Sequence, residues 1–428
     1  MGGTATVKRK EHTPAKGETR ATVYRRPAQE SVKWCGKIER LAWGGVGVGR
    51  GEDGRLLLLS APLALFPGEQ VEALVRWKPR HGEGQVTAWT RRDPRRVRAG
   101  CPVAGVCGGC DLWEAGPLAG SLKREMVADL LGRQLPGAPA WRWLEAPAQA
   151  RRHRVQLHWN GLELGFHKRN SHTVVPVAAC PAAADALSRA MPRLREALEA
   201  RVLSPRSQRW ELVTGTPAGE VSAVAESGRS WRLEPDGWHP SDDPVCHDLG
   251  GTVLRHRAGG FFQVCPEWAW AAFGEILGAW ALPGGTLFDL YGGVGFFSAL
   301  LGGRFRERVL VENDEPAVAW ARANLEAMGL PAQCLATDAA EWVAEGLGGA
   351  DDLILLDPPR TGLTPELCAR LQTANAGALV LVGCDGAAFC RDVQRLAPAW
   401  ELAELAVADL FPLTQHMEAV ALLRKKQA

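Results

Sequence analysis

Four features are missing from this 428-residue sequence. It contains no run of about 18 apolar residues, which a membrane-spanning helix requires. Its first residues, MGGTATVKRKEHTPAKGETR, have no apolar core of the kind found in secretory signal peptides. It has no internal repeats, and its formal net charge is only +2. We therefore expect a cytoplasmic protein without a membrane partner, and the near-neutral balance argues against a histone-like protein.

The small net charge conceals an uneven distribution along the chain. Residues 1–100 contain 20 lysines and arginines against 10 aspartates and glutamates, whereas the remainder contains 30 against 38. A basic N-terminal part followed by an acidic remainder favours a polyanionic partner that binds at the N-terminal end. Two arginine clusters stand out, and we expect the first to contact phosphate rather than to be a solvated linker. They are Arg91, Arg92, Arg95, Arg96 and Arg98, and then Arg151, Arg152 and Arg154.

The first 260 residues divide by pattern into three stretches. Residues 1–30 are basic and nearly free of aliphatic side chains, which predicts a disordered tail. Residues 31–93 carry short strand-like runs separated by glycine turns, a pattern typical of a small β-barrel. Residues 94–260 combine strands with one helical stretch near 181–200, and we interpret them as a central α+β domain.

From about residue 284 onward, apolar strands alternate with helices rich in alanine and leucine. Strands that are apolar over their whole length are typical of a parallel sheet covered by helices on both faces. The last two strands, ELAELAVADLF and MEAVALLRK, have a short connection, which predicts an antiparallel end to the sheet. We therefore expect an α/β fold with a Rossmann-like domain over residues 261–428.

A glycine-rich loop follows the first strand of that domain. The stretch DLYGGVGFFS, residues 289–298, contains Gly293 and Gly295, which allow a tight turn and close approach of a ligand. Glu312 ends the next strand, where a carboxylate can accept from both hydroxyls of a ribose. No third glycine precedes the helix, which favours an adenosyl group over a pyrophosphate. Asp338 ends the third strand and could accept from an adenine amino group.

Later strand ends carry groups suited to chemistry on a nucleobase. Asp357 begins an Asp-Pro-Pro-Arg run ending at Arg360, and a flipped base needs such an acceptor. Cys384 ends the fifth strand; a thiolate there could add to C6 of a pyrimidine and so prepare C5 for methylation. Taken alone, Cys384 would more simply be a core cysteine. His416 and Glu418 are candidates for the base that removes the C5 proton, unless their turn is a plain surface hairpin.

The sequence has eleven cysteines, an odd number. Three of them, Cys101, Cys107 and Cys110, are closely spaced, and the distant Cys180 precedes a proline. This spacing favours a [4Fe–4S] cluster over zinc, which commonly uses paired CxxC units, and over unligated thiols. We interpret the others, apart from Cys384, as structural: Cys35, Cys246, Cys265, Cys334, Cys368 and Cys390.

These motifs together resemble those of the RNA uracil-5-methyltransferase family, which makes 5-methyluridine in tRNA and ribosomal RNA. The resemblance covers roughly residues 35–425 and rests on the cysteine quartet, the glycine loop, DPPR and the final FPLTQHMEAV. It implies that residues 38–98 form a TRAM domain, an OB-like RNA-binding barrel. It also implies S-adenosylmethionine and a [4Fe–4S] cluster as cofactors and RNA as the partner, with ribosomal RNA favoured over tRNA. A monomer is expected.

The resemblance also implies individual roles. Cys384 would be the nucleophile and Glu418 the base. Phe262 would pack against a base, while Asp357 and Arg360 would face the flipped uracil. The four clustered cysteines would hold the iron–sulfur cluster in a structural, RNA-facing role rather than a redox one. Positions that match the cofactor site are Gln263, Tyr291, Glu312 and Asp357, beside the Gly293, Gly295 and Asp338 inferred above.

The chain departs from the family pattern at several positions. Gly383-Cys384-Asp385-Gly386 stands where the family has Ser-Cys-Asn-Pro, and a carboxylate at Asp385 is expected to disfavour the thiolate. Asp111, Phe296 and Cys265 also replace residues common in the family. The alternatives are a non-catalytic RNA-binding or RNA-folding protein on the same scaffold, an iron–sulfur redox protein, and a methyltransferase that acts on another atom.

Overall fold

The computed structural model describes residues 31–426, so the basic tail predicted at residues 1–30 lies outside the described residues. It contains three large sheets and one separate hairpin. Between residues 31 and 426, no helix is both long and apolar enough to cross a membrane.

The first large sheet forms the N-terminal barrel region. Its strands are Val32–Lys37 (β1), Arg40–Ala42 (β2), Val46–Arg50 (β3), Leu56–Ser60 (β4), Gln70–Trp77 (β5) and His81–Arg91 (β6). They lie in the order β1-β5-β6-β4-β3-β2. Along β5 the buried side chains alternate, as the two-residue period of a strand requires: Val71, Ala73 and Val75 face the core. Irregularities in the β5–β6 pairing bend the strands around that core.

A single helix joins this barrel to the C-terminal sheet. After the 3-10 helix Trp113–Leu118, α1 runs over Ala119–Gln134. Leu122 and Met126 pack into the barrel core, whereas Val127 packs into the core of the C-terminal sheet. Since its side chains enter two cores, α1 fixes the barrel against the C-terminal sheet.

The second large sheet is antiparallel and lies in the middle of the chain. After Trp141–Leu144 (β7), its strands are Arg154–Trp159 (β8), Leu164–His167 (β9), Val174–Pro176 (β10), Arg209–Thr214 (β11), Val221–Ala225 (β12), Ser230–Glu234 (β13) and Gly237–Pro240 (β14). They lie in the order β10-β9-β8-β11-β12-β13-β14. Helix α2, Asp185–Glu199, packs Leu187 and Leu194 into the same core as Trp210 and Leu212. The hairpin Val245–Asp248 (β15) and Val253–His256 (β16) follows.

The third sheet confirms the predicted α/β fold. Its strands are Thr286–Leu290 (β17), Glu307–Glu312 (β18), Gln333–Ala336 (β19), Leu353–Leu356 (β20), Ala378–Gly383 (β21), Trp400–Ala408 (β22) and Glu418–Lys425 (β23). The helices are Pro266–Ala279 (α3), Phe296–Leu301 (α4, with the 3-10 turn Gly302–Arg304), Glu315–Ala327 (α5), Ala339–Trp342 (α6), Pro365–Thr373 (α7) and Gly386–Leu396 (α8). Strands β17 to β21 pair in parallel, and β23 pairs antiparallel with both β21 and β22.

The strand order of this sheet is β19-β18-β17-β20-β21-β23-β22-β7. Strand β7 comes from the stretch that the sequence assigns to the central domain, yet it pairs in parallel with β22 and extends the C-terminal sheet. A four-residue strand carries no signal of which distant edge it joins. The carboxyl ends of β17, β18, β20 and β21 meet at one edge, which is where ligands bind in open α/β sheets.

Candidate active site

The glycine loop after β17 is held in place by Glu312. The Glu312 carboxylate accepts from the backbone N–H of Gly293 at 3.1 Å, and its other oxygen accepts from the N–H groups of Asn313 and Asp314. Gly293 and Gly295 have φ of 53° and 88°, in the left-handed region that favours glycine, and Tyr291 has φ of 61°. The acid and the loop predicted as cofactor-binding are therefore in direct contact.

Asp289, at the start of this loop, was assigned no role from the sequence. It is fully buried, and its Oδ2 accepts from the N–H and the hydroxyl of Ser298 at 3.0 and 2.6 Å. Its Oδ1 has no hydrogen-bond partner among the described residues. Burial raises the pKa of Asp289 to about 6. The loop thus encloses a buried acceptor with unused capacity.

Asp338 lies after β19, as predicted, but one of its carboxylate oxygens already accepts hydrogen bonds from the backbone. Its side chain caps α6 by accepting from the N–H groups of Ala340 and Glu341, with Oδ1 2.7 Å from the former. The second carboxylate oxygen remains the atom with which Asp338 could meet a ligand.

Asp357 and Gln263 come together from elements far apart in the sequence. Asp357 follows β20, and Gln263 lies just before α3. Burial and the charge of Asp289 raise the pKa of Asp357 to about 7, although a hydrogen bond from the Gln263 side chain opposes this shift. The structure therefore brings together two of the predicted cofactor-site residues.

Cys384 directly follows β21, and Glu418 is the first residue of the adjacent strand β23. The last pair of the antiparallel β21–β23 ladder joins Gly383 to Ala419, and Cys384 and Glu418 are the next residues beyond that pair. Burial and the charges of Glu418 and Asp357 raise the pKa of the Cys384 thiol to about 11, against the opposing charge of Arg360. Glu418 is buried, and burial with the charge of Asp357 raises its pKa well above the usual range.

Arg360 reaches this pair from the loop after β20. Its Nη2 donates to His416 Nδ1 at 3.1 Å, and burial together with the Arg360 charge lowers the pKa of His416. That hydrogen bond occupies the imidazole lone pair, so His416 is the weaker candidate for the base. Glu418, which acts directly on the Cys384 thiol, is the stronger one.

Asp385 plays a different part from the one expected. Its side chain caps α8 by accepting from the N–H of Ala388 at 2.9 Å. The carboxylates that raise the pKa of the Cys384 thiol are Glu418 and Asp357 instead. The departure from the family pattern at position 385 thus places a helix cap next to Cys384.

Phe262, predicted to pack against a substrate base, lies among other ring side chains in the structure. Phe262 is 3% exposed and stacks on the imidazole of His247, with ring centroids 4.1 Å apart. His256 lies against it at 5.0 Å. The adjacent Phe261 is 67% exposed and is the aromatic side chain presented to solvent. Sequence pattern could not separate the two neighbours, because both are aromatic and the choice depends on where the distant histidines lie.

The four clustered cysteines line one cavity. Cys101, Cys107, Cys110 and Cys180 surround it together with Arg152 and mainly apolar side chains. Arg152 donates to Gly109 O at 3.0 Å, beside the Cys110 thiol. Within residues 31–426, no three histidine, cysteine or acidic side chains are arranged to hold a metal ion. The remaining cysteines are exposed (Cys35 and Cys246) or buried (Cys265, Cys334, Cys368 and Cys390).

The segment that directly follows Cys110 is hydrogen-bonded to the loop that carries His416 and leads to Glu418. The backbone N–H groups of Asp111 and Leu112 donate to Leu413 O at 2.9 and 3.0 Å. Leu413 itself has φ of 67°, a strained value for a non-glycine residue. The cysteine cavity therefore supports the active-site loop directly.

Lys123 of α1 holds the same loop from inside the protein. It is fully buried, and its Nζ lies 2.5 Å from Asp409 Oδ1. Nζ also donates to the backbone carbonyls of Phe411 and His416 at 3.0 and 3.2 Å. The sequence offers no signal for this role, because Lys123 lies nearly 300 positions before its partners.

The arginines expected to contact phosphate are largely paired within the protein. The Arg96 side chain is 6% exposed, forms ion pairs with Glu69 and Glu114 at 2.7 and 2.8 Å, and lies over the Phe66 ring. Ion pairs also join Arg92 to Glu114 and Arg95 to Asp93. In the second cluster Arg152 faces the cysteine cavity, and Arg154 is paired with Glu211. In the first cluster Arg96 belongs to an internal ion-pair network, whereas Arg91, Arg92, Arg95 and Arg98 are exposed, and phosphate contact by this cluster stays a prediction.

Comparison with known proteins identifies the family. The profile of the tRNA (uracil-5-)-methyltransferase family matches residues 267–426. A 23S rRNA (uracil(1939)-C(5))-methyltransferase of Pseudomonas fluorescens is 31% identical to this chain, over 91% of each protein. The chain belongs to the RNA uracil-5-methyltransferase family. An RNA methyltransferase of Streptomyces coelicolor is 30% identical to this family member, over 96% of the present chain and 98% of its own.

A solved structure supports the same fold for this uracil-5-methyltransferase family member. The tRNA (uracil-54, C5)-methyltransferase of Pyrococcus abyssi, in complex with S-adenosyl-L-homocysteine, superposes with a TM-score of 0.70. The alignment covers 91% of this chain and all of that one, at 23% identity. The arrangement of barrel, central sheet and Rossmann-like sheet is therefore shared with a known member of the fold.

Proposed function

We propose that this protein transfers the methyl group of S-adenosylmethionine to C5 of a uridine in ribosomal RNA through a covalent Cys384–C6 adduct. The observation that carries the proposal is that Cys384 and Glu418 come directly beyond the last pair of the β21–β23 ladder, with Arg360 and Asp357 close enough to affect both. A nucleophile and a base on adjacent strands can act on neighbouring atoms of one pyrimidine ring.

The methyl donor would bind at the glycine loop. Gly293 and Gly295 allow close approach, Glu312 suits the ribose, and Tyr291, Gln263, Asp338 and Asp357 surround the same sheet edge. The unused, buried Oδ1 of Asp289 is a further acceptor that fits an N–H or O–H donor of a ligand. S-adenosylmethionine supplies an electrophilic methyl group on a positively charged sulfonium.

In the proposed reaction, the Cys384 thiol gives up its proton to solvent, its Sγ bonds to C6 of the flipped uracil, and the electron pair of the C5=C6 double bond moves to C5. C5 takes the methyl group as the bond between that methyl group and the donor sulfur breaks, with both electrons left on the sulfur. The Glu418 carboxylate then removes the C5 proton, the C5–H electron pair re-forms the C5=C6 double bond, and the electron pair of the C6–S bond leaves with Cys384 as a thiolate. Arg360 balances the negative charge at this site, because its guanidinium lowers the pKa of both Cys384 and Glu418. Asp357 with Arg360 would orient the uracil edge.

We propose that Cys101, Cys107, Cys110 and Cys180 would hold a [4Fe–4S] cluster, in which each thiolate binds a different iron atom, so that no three thiols need to meet at one metal ion. The four thiols line a single cavity whose other walls are mostly apolar, and Arg152 offers positive charge beside them. Clusters of this kind are bound by four cysteine thiolates. Since the loop at Asp111 and Leu112 bonds to Leu413 O, the cluster would have a structural task next to the active site.

Ribosomal RNA is the favoured substrate because relatives that match about nine-tenths of the chain are named for 23S rRNA. The test compares 5-methyluridine, by mass spectrometry of digested nucleosides, in rRNA and tRNA from cells with and without this protein. We expect the amount of 5-methyluridine in the rRNA fraction to fall when the protein is absent. No change in either fraction would favour the non-catalytic RNA-binding alternative, and a different missing nucleoside would mean that another atom is methylated.

A further inference from the structure

Five arginines of the central region are exposed and make no ion pair or side-chain hydrogen bond to any residue from 31 to 426. Three of them fall within residues 201–209, and the fold brings Arg229 and Arg257 to the same region. Two adjoining cavities on the second sheet hold them: Arg201, Arg206 and Arg229 line the first, and Arg209 and Arg257 line the second. Unpaired guanidinium groups are the donors that phosphate binding requires.

The first cavity has a volume of about 890 Å³. Besides its three arginines it is lined by Trp231 and Trp238, and the Arg229 guanidinium lies 5.4 Å from the centroid of the Trp231 ring. The indole Nε1 of Trp238 is buried and has no hydrogen-bond partner among the described residues. Trp231 and Trp238 are 8% and 7% exposed, so they form the wall of the cavity, and the three exposed arginines are the groups that it presents to a ligand.

The second cavity, of about 270 Å³, continues the first toward the active site. The two share Ala225 and Glu226, at the turn that follows β12. Its far end is lined by Arg257 and Gly259, and the chain then reaches the exposed Phe261 and the active-site residue Gln263. A polymer lying in both cavities would therefore lead to the edge of the catalytic site.

The charge of this surface is strongly positive. Two carboxylates lie along it, Glu211 and Glu226. Glu211 is neutralised by Arg154 at 2.6 Å, and Arg154 also donates to Gly260 O at 3.1 Å. Only Glu226 offsets the five arginines, so the surface attracts a polyanion.

We propose that these two cavities bind the phosphate backbone of the RNA strand that flanks the target uridine. This inference rests on the proposed function, because it identifies the polyanion as the RNA substrate. The arginines contact successive phosphates and the first cavity accommodates unstacked nucleotides, while Phe261 marks where the strand enters the catalytic site.

The test measures binding of the full-length protein to an unmodified 23S rRNA transcript as a function of KCl concentration. The variant carries Arg→Gln at the five positions. We expect Kd to rise about tenfold or more and the salt slope of log Kd to fall by about 3, because each lost phosphate contact removes released counterions. Arg→Lys at the same five positions keeps the charge and should retain most of the slope.

The matched control removes three exposed arginines that are already paired with neighbouring acids: Arg133, Arg195 and Arg306. Their substitution by Gln should leave the salt slope unchanged. An equal slope in the five-position variant and the wild type would overturn the proposal, as would a loss of binding that Arg→Lys does not restore. Binding is measured without methyl transfer, so failure of the proposed chemistry, seen as no methylation by the wild type, is a separate result.

Discussion

Cys384 and Glu418 are the residues directly beyond the last pair of the β21–β23 ladder, that of Gly383 with Ala419. Because this antiparallel pairing holds the two chain segments together, a thiol and a carboxyl separated by 34 positions come close enough for the carboxylate charge to act on the thiol. Burial and the Glu418 charge raise the pKa of the Cys384 thiol, burial and the Asp357 charge raise the pKa of Glu418, and the Arg360 charge opposes both shifts. This pairing gives the most direct predictions.

Replacing Cys384 by Ala should reduce methyl transfer to background, since no other group in the proposed mechanism can add to C6. Binding of S-adenosylmethionine, measured by calorimetry, should persist because the thiol lies outside the glycine loop. The exposed Cys246→Ala is the matched control and should retain full activity. Wild-type turnover in the Cys384 variant would refute the covalent mechanism.

Replacing Glu418 by Gln should trap the enzyme on its RNA. The adduct can still form and take the methyl group, but the C5 proton has no acceptor, so turnover should fall by about 10²–10⁴-fold. A denaturing gel should show a covalent protein–RNA band. Glu401→Gln, an exposed position on β22, should give no such band. If His416 were the base instead, the band would appear only in His416→Ala.

The buried carboxyl of Asp289 should make stability depend on pH. Its pKa is raised from the usual 3.8 to about 6, so the folded state binds the proton more tightly than the unfolded state. That contribution is complete below the unfolded pKa and is lost as the pH rises through about 6. It amounts to about 3 kcal/mol.

Denaturant titrations of the ligand-free protein at several pH values provide the measurement. The wild type should lose stability between roughly pH 4 and pH 7. Over the same pH range, the free energy of unfolding of Asp289→Asn should fall by about 3 kcal/mol less than that of the wild type. The pH dependence that comes from burial of Asp357 should remain in this variant. Identical pH profiles for the two proteins would show that the Asp289 pKa is not raised.

We predict that Lys123 stabilises the folded protein by holding the loop between β22 and β23 in place. Lys123→Met leaves Asp409 buried without a counter-charge and removes two donors to backbone carbonyls, so it should lower stability by about 3–5 kcal/mol. Combining it with Asp409→Asn should recover part of that loss, since the stranded charge is gone. Chemical denaturation of both variants decides the point, and a double variant no more stable than the single one would contradict it.

Arg96 should matter for folding rather than for RNA. Arg96→Met leaves Glu69 almost fully buried and unpaired, which should cost about 3–5 kcal/mol in the free energy of unfolding. The salt slope of RNA binding should stay unchanged, because this guanidinium does not reach solvent. The exposed Arg91, in the same run, is the comparison and should barely affect stability.

The sequence by itself determined the C-terminal fold and the order of its loops. Apolar strands such as Leu353–Leu356 and the glycine loop are local signals, since burial on both faces and positive φ constrain each segment directly. Because parallel strands end at one sheet edge, the glycine loop, Asp357 and Cys384 could be predicted to lie near one another. In the structure, the glycine loop and Glu312 are in direct contact, because the Gly293 N–H donates a hydrogen bond to the Glu312 carboxylate.

Only the tertiary structure decided which charges are free and which aromatic ring is exposed. Arg96 and Lys123 form ion pairs with acids that are distant in the sequence. Arg201 and Arg229, in contrast, form no ion pair with any residue from 31 to 426. Phe262 is buried and Phe261 is exposed for the same reason. The pairing of a charge or the burial of a ring depends on partners brought by other elements, and no local pattern along the chain encodes which partner arrives.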